Sequence, residues 1–289
     1  MNVVTTPESV LPIALAAMAC TPDARLRTVI AALTQHLHAF VQEVQLTEDE
    51  FERALGFLVD IGQASGEKKN EVVLAADIFG LSTLVALINN RAPDDGDSPA
   101  ALLGPFWRAN APLCKDGESI ARAGTEGVPL AASGTVRDAR GAPIEGATVD
   151  VWQASPVGLY ENQDPSQQNM NLRGRFQTDA QGRFAFCSVR PAGYPVPTDG
   201  PCGDLLRAQQ RHPNRPAHLH FMVSKPGHKV LISQVYADDD ENLESDPTFG
   251  VTRRLIGNYA LAPDGSSATL QYDFTLEPGE MKFPKAPIP

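Results

Sequence analysis

Hydrophobic and polar positions follow two different periods along this chain, and the change falls near residue 100. Before that point, apolar residues recur at spacings of three and four, as they do on one face of a helix. Thr47 and Glu50 form a capping box that predicts a helix start, and Gly80 predicts a bend. The predicted helices cover residues 10–20, 26–44, 47–61 and 72–89.

Beyond residue 100, short runs of β-forming residues alternate with turns rich in Gly, Pro and Asp. The composition of residues 91–101 predicts a linker before them. The sequence therefore predicts an α+β protein, with a helical N-terminal domain and linker in residues 1–100 and a β-sandwich in residues 101–289. The predicted strands are residues 131–137, 147–153, 182–189, 218–223, 230–236 and 268–276.

Charge and composition narrow the class of protein. Apolar residues make up 42% and charged residues 20% of the chain, and the formal net charge is -11. An acidic chain without a basic cluster argues against nucleic acid or an anionic membrane as partner. No apolar run approaches the roughly 20 residues of a membrane span. The four cysteines show no C-x-x-C spacing, and we expect a cytoplasmic protein with reduced thiols.

His218 and His220 are the first candidates for chemistry. Residues two apart on a strand face the same side, so both imidazoles would point away from Leu219. Such a pair offers two nitrogen ligands to a metal, although it also occurs simply on polar strand faces. The candidates that could complete a site are Tyr160, which follows Gly-Leu, and Tyr194, which lies between Gly and Pro. A tyrosine in such a turn is otherwise a packed aromatic.

Two phenolates and two imidazoles would form an unusual set of metal ligands. Phenolate is a hard anionic donor that suits Fe(III) better than Fe(II) or Zn, and a trivalent ion can ionise a phenol whose pKa is about 10. Such a centre would bind a substrate with two adjacent hard oxygens, which describes a catechol. A cupin-type Fe(II) site also uses His-x-His, but residues 221–225 lack the acid that would follow.

A series of longer motifs carries a family resemblance. Read in order, the chain resembles the intradiol ring-cleavage dioxygenases of the catechol and hydroxyquinol 1,2-dioxygenase group over nearly its whole length. The resemblance implies one non-haem Fe(III) per subunit, held by Tyr160, Tyr194, His218 and His220. It also implies a homodimer built through the N-terminal helices, with a possible phospholipid in that interface. The motifs are residues 103–107, 150–154, 158–160, 173–176, 194–201 and 215–221.

The resemblance also assigns roles around the metal. Arg215 becomes a fixed cation over the substrate ring. Tyr194 doubles as the base that leaves the iron with a substrate proton, and Gln234 matches a polar residue near the oxygen site. The predicted substrate-binding residues are Leu74, Asp77, Gly104, Pro105, Val196 and Thr248.

The substrate is predicted from the third helix. Leu74 followed three residues later by Asp77 resembles the hydroxyquinol enzymes, where a carboxylate can meet the extra ring hydroxyl. Gln234 and Thr248 depart from that group. We expect cleavage of hydroxyquinol (benzene-1,2,4-triol) with O2 to 3-hydroxy-cis,cis-muconate/maleylacetate. Cleavage of catechol or chlorocatechol to a (chloro)-cis,cis-muconate is the alternative, and a non-catalytic β-sandwich binding module is the alternative of another class.

Overall fold

The structure is a computed structural model that describes residues 3–66, 69–90 and 100–288. Most of the predicted linker lies outside the described residues. Contacts between Cα atoms divide the chain into two compact units, Met1–Val59 and Asp60–Pro289. The boundary predicted after residue 100 stays a prediction.

The capping box predicted at Thr47 and Glu50 forms at the start of α3, and Asp23, which was not predicted, caps α2. Asp23 accepts a hydrogen bond from the Leu26 backbone N–H at 2.8 Å, and the Thr47 N–H donates to Glu50 Oε2 at 2.9 Å. One further helix lies in the β-rich part, too short to give a periodic signal. The helices are α1 (Pro7–Met18), α2 (Ala24–Val44), α3 (Glu48–Gln63), α4 (Glu71–Ile78), α5 (Leu81–Asn89) and α6 (Pro201–Ala208).

The bend predicted near Gly80 is confirmed, but the helix predicted over residues 72–89 is interrupted there, because α4 and α5 are separate helices at an angle of 76°. Gly80 has a φ of +72°, and a Cβ there would lie 3.2 Å from the Phe249 ring. Within the described residues, no single helix is long and apolar enough to cross a membrane. Only this bent pair reaches that length and composition.

The predicted strands form, with one correction. The run 268–276 is two strands, since the chain breaks at Tyr272, whose carbonyl oxygen approaches Gly134. Several short strands carry no alternating pattern and were not predicted. The strands are β1 (Pro129–Asp138), β2 (Thr148–Trp152), β3 (Arg173–Gln177), β4 (Arg183–Val189), β5 (Tyr194–Pro195), β6 (Asn214–Arg215), β7 (His218–Ser224), β8 (Leu231–Ala237), β9 (Ile256–Gly257), β10 (Tyr259–Leu261), β11 (Ala268–Gln271) and β12 (Phe274–Leu276).

Two five-stranded sheets pack through one apolar core. One has the order β3-β2-β7-β8-β9, and the other the order β10-β11-β1-β12 with β4 also paired to β1. Leu130 and Phe186 of the second sheet join Val151, Leu219 and Phe221 of the first in a single buried cluster. This confirms the predicted α+β architecture of helices followed by a β-sandwich.

Candidate metal centre and substrate cavity

The middle strand of the first sheet carries the histidine pair. On β7, Leu219 and Phe221 face the sandwich core, so His218 and His220 project from the opposite face. β2 and β8 flank this strand, and both imidazoles are almost fully buried, at 2% and 1% exposure. A solvated polar face is therefore excluded for the pair.

Tyr160 meets the histidines from a loop, and Tyr194 meets them from the two-residue strand β5. The oxygen of Tyr160 lies 3.0 Å from His220 Nε2 and 3.3 Å from the oxygen of Tyr194. The Nε2 atoms of His218 and His220 are 3.1 Å apart. Gly158 permits the approach of the two segments, since a Cβ there would lie 3.2 Å from the Tyr194 Cβ. The structure thus brings all four predicted ligand atoms to one point.

The protonation states suit a cation. His218 Nδ1 lies 2.7 Å from the Pro216 carbonyl, which assigns the proton to Nδ1 and leaves the Nε2 lone pair facing the site. Burial lowers the pKa of both imidazoles, aided by Arg215 at His218 and by His218 at His220. Burial, followed by the neighbouring Tyr194, raises the pKa of Tyr160 well above its usual value. Without a cation the phenol stays protonated, and its ionisation would require a positive charge at the site.

The donor set fits ferric iron on its chemistry. Among the described residues there is no cluster of three His, Cys, Asp or Glu side chains that could bind a metal. Two neutral imidazoles therefore need the two phenols to complete a site, and phenolate oxygen favours a hard trivalent ion. The His220 ring is held rigidly, since it stacks on Trp152 with centroids 4.8 Å apart and planes within 8°.

Arg215 joins the metal site to a buried polar network. Its Nε donates to Asp246 Oδ1 at 3.1 Å, and its Nη2 donates to Gln234 Oε1 at 3.0 Å and to the Tyr236 oxygen at 2.5 Å. Its Nη1 lies 3.3 Å from His218 Nε2. Burial disfavours the charge, but Asp246, Tyr236 and Tyr194 together outweigh burial and raise the pKa of Arg215 well above its usual value. The guanidinium is therefore a permanent, oriented cation beside the ligands.

A narrow, mostly apolar cavity lies next to these groups. Its wall contains Tyr194, Arg215 and every residue predicted from the resemblance to bind substrate: Leu74, Asp77, Gly104, Pro105, Val196 and Thr248.

Asp77 is an acidic group in a mostly apolar part of the cavity wall. It is only 5% exposed, on the same face of α4 as the buried Leu74. Burial raises the pKa of Asp77 to about 6, against the opposing effects of a Ser82 hydrogen bond and of Arg215. The carboxylate is therefore ionised at neutral pH, and a substrate hydroxyl could donate a hydrogen bond to it.

Sequence reasoning missed several groups at the site. Asp246 binds Arg215 and accepts hydrogen bonds from Thr248 Oγ1 at 2.9 Å and from the Gly250 N–H at 2.9 Å. Tyr236 shares the Arg215 guanidinium with Gln234. Strand alternation could have identified Tyr236, which lies two residues after Gln234 on β8. Asp246 lies in a loop, where no helical or strand periodicity indicates which way a side chain points.

Comparisons with known proteins agree with this geometry. A family model described as Dioxygenase matches residues 102–278, and one described as Catechol dioxygenase N terminus matches residues 23–96. A hydroxyquinol 1,2-dioxygenase of a Rhizobium species is 41% identical over 85% of this chain and 83% of its own. A catechol 1,2-dioxygenase of Candida albicans is 39% identical over 81% of this chain and 78% of its own.

A solved structure supports the same assignment. The hydroxyquinol 1,2-dioxygenase of Pseudomonas putida superposes with a TM-score of 0.87 at 37% identity, covering 94% of this chain and 99% of its own. The match includes both the helical part and the sandwich. An enzyme is thereby favoured over a non-catalytic binding module. The chain belongs to the family of intradiol ring-cleavage dioxygenases, which use non-haem iron to open a catechol-type ring with O2.

Proposed function

We propose that this protein is a hydroxyquinol 1,2-dioxygenase that converts benzene-1,2,4-triol and O2 to 3-hydroxy-cis,cis-muconate/maleylacetate. One observation carries the choice of substrate: the buried carboxylate of Asp77 lines the same cavity as Tyr194 and Arg215. When the hydroxyls at positions 1 and 2 of benzene-1,2,4-triol face the tyrosines, the third hydroxyl lies elsewhere in the cavity. A desolvated carboxylate binds a ligand that donates a hydrogen bond to it more tightly than a ligand that cannot.

The proposed cofactor is one Fe(III) per subunit, held by Tyr160, Tyr194, His218 and His220. When bound, it supplies the Lewis acidity that lets both substrate oxygens bind as anions and that activates the ring towards O2. Burial favours neutral imidazoles, the contact of His218 Nδ1 with the Pro216 carbonyl leaves the His218 Nε2 lone pair for the ion, and the phenols would supply negative charge. No nicotinamide or flavin is required.

Tyr194, Arg215 and Gln234 have separate proposed roles in the reaction. Tyr194 Oη is the proposed acceptor of one substrate proton, because Tyr194 belongs to the short strand β5 while Tyr160 packs against Phe106 at 4.5 Å. Arg215 stabilises negative charge on the ring as it reacts, since Asp246 holds the guanidinium in a water-poor site. Gln234 fixes the other side of Arg215, and its Nε2 donates to the Leu102 carbonyl at 2.6 Å.

The test is an oxygen-uptake comparison of hydroxyquinol, catechol and 4-chlorocatechol on the iron-loaded protein, with product spectra. We expect kcat/KM to be highest for hydroxyquinol. Equal or higher values for catechol would favour the alternative, a catechol or chlorocatechol 1,2-dioxygenase, which the polar Gln234 supports by its resemblance to that group.

The purified protein should be wine-red from tyrosinate-to-Fe(III) charge transfer. Tightly bound zinc, with no visible band after iron loading, would contradict the site.

We also propose a homodimer formed through the N-terminal helices, with room for a phospholipid in the interface. In support, none of the residues of α2 is buried, and its apolar stripe includes Leu33, Leu37 and Phe40, each about half exposed. Light scattering at micromolar concentration should give twice the chain mass, and mass spectrometry of a solvent extract should reveal any lipid. A fully active monomer would contradict the dimer.

A cytoplasmic location is proposed because the four cysteines form no disulfide bonds.

A further inference from the structure

Arg173 is a buried cation that the proposed chemistry does not use. It is the first residue of β3, opposite Trp152 of β2, and only 1% of it is exposed. Its guanidinium carbon lies 5.8 Å from the centroid of the Tyr160 ring. Among the described residues, neither of its terminal nitrogens, Nη1 and Nη2, has a hydrogen-bond partner. Such a cation is costly to bury, which calls for a functional explanation.

The charge beside Tyr160 is only partly compensated. Arg173 Nε donates to Glu161 Oε2 at 2.8 Å. Arg108 Nη1 binds the other oxygen of that carboxylate, also at 2.8 Å. One carboxylate thus serves two guanidinium groups. Asp150 also interacts with the charge of Arg173, but burial raises the pKa of Asp150 to about 7, so this second carboxyl compensates the charge only in part. Because Glu161 directly follows Tyr160, its backbone ties the cluster to the tyrosine.

We propose that Arg173 is a positioning residue for Tyr160, which holds the ring in place and sets how strongly its phenolate donates to the bound metal. The inference rests on the proposed ferric site. A cation beside the ring lowers the energy of the filled phenolate orbitals. It therefore weakens donation from Tyr160 and raises the energy of the Tyr160-to-iron charge-transfer transition. Groups behind a metal ligand tune the metal in this way.

The test compares three variants of the full chain after loading with iron. Arg173→Gln removes the charge but keeps a donor for Glu161, and Arg173→Lys keeps the charge. Arg175→Gln is the matched control, because Arg175 lies on the same face of β3 and its Nε donates to the Ala111 carbonyl at 2.6 Å. Bound iron, the maximum of the visible band, iron release to a chelator and the melting temperature are measured for each.

Arg173→Gln should move the band of its bound iron to longer wavelength. Arg173→Lys should restore the wild-type maximum, and Arg175→Gln should leave it unchanged. A purely structural role would lower iron content and melting temperature without moving the band. An unshifted Arg173→Gln band, or an equal shift in the control, overturns the inference.

The failure of the proposed function has a different signature. A wild-type protein without the band after iron loading overturns the ferric site, and this inference with it. A normal wild-type band with an unshifted Arg173→Gln band overturns the inference alone. If Arg173→Gln does not fold, Arg173→Met keeps the length of the side chain without its charge and leaves Glu161 paired with Arg108, and the same shift is expected.

Discussion

The Tyr160 hydroxyl donates to the Tyr194 oxygen over 3.3 Å and also lies 3.0 Å from His220 Nε2. Tyr160 is fully buried and stacks on Phe106 with ring centroids 4.5 Å apart. Tyr194 stands edge-on to Tyr160, in a strand of two residues. The two phenols therefore share one site but differ in how firmly their surroundings hold them.

We expect this difference to separate the effects of the two Tyr→Phe substitutions. Tyr160→Phe should lose iron and colour, because the firmly packed ligand is missing. Tyr194→Phe should retain some iron but lose turnover by about 10² to 10⁴, since the proton acceptor is absent. Metal analysis, the visible spectrum and oxygen uptake measure the two effects.

The control for both is Tyr259→Phe, which removes a buried hydroxyl that donates to the Val235 carbonyl at 2.8 Å, away from the site. It should keep both iron and turnover. Near-wild-type activity of Tyr194→Phe would contradict the proposed base.

Replacement of Arg215 by lysine tests whether catalysis depends on the several N–H donors of the guanidinium in addition to its positive charge. A lysine cannot contact Asp246, Gln234 and Tyr236 together as the guanidinium does. Arg215→Lys should lower kcat by about 10² to 10³, the usual effect of losing an oriented charge-stabilising donor. Arg211→Lys is the control, since Arg211 binds only backbone carbonyls and Gln209 among the hydrogen bonds resolved. Equal losses in the two variants would point to loop stability instead.

The pKa of Asp77 predicts a pH-dependent substrate preference. Burial raises this pKa to about 6, so the carboxylate forms as pH rises through that value. An ionised acceptor bonded to the third hydroxyl contributes about 1.5–3 kcal/mol, or about a tenfold to hundredfold bias in kcat/KM. The ratio for hydroxyquinol over catechol should rise between pH 5 and pH 7, which are about one unit on either side of that pKa.

Asp77→Ala should remove most of this bias by lowering hydroxyquinol turnover, with catechol unchanged or improved. Asp77→Asn should leave a ratio that does not change with pH. Because the folded-state pKa lies above the ordinary 3.8, ionisation also costs stability, which falls as pH rises from about 4 to 6. If Asp77→Ala lowers turnover of both substrates equally, Asp77 is structural and the catechol alternative is the better one.

Gly104 tests how closely the cavity wall packs on His220. It has a φ of +73°, and a Cβ there would lie 3.0 Å from His220 Cε1. Gly104→Ala should therefore displace the imidazole and weaken iron binding, in addition to about 1–2 kcal/mol of backbone strain. Gly117→Ala is a matched control with a φ of +75° and no atom within 4 Å. Iron retention should fall in the first variant alone, while thermal melting reports the strain they share.

The sequence by itself determined the helices, most of the long strands and the four candidate ligands, because each leaves a local mark. Caps such as Thr47 and Glu50 act within one helical turn, and alternation in β7 assigns His218 and His220 to one face. The long motifs of the family resemblance identified Tyr160 and Tyr194 as ligands. No helical or strand periodicity connects these two residues with each other. By contrast, the glycine at position 80 marked the bend but not the 76° angle between α4 and α5, which only the folded chain shows.

Only the tertiary structure decided which charges meet. Asp246 reaches Arg215 from a distant loop, and Glu161 is shared between Arg108 and Arg173. Electrostatic contacts between loops and strands have no sequence period, since they depend on distance in space and on burial. The same holds for the raised pKa of Asp77, which follows from desolvation rather than from its neighbours in the helix.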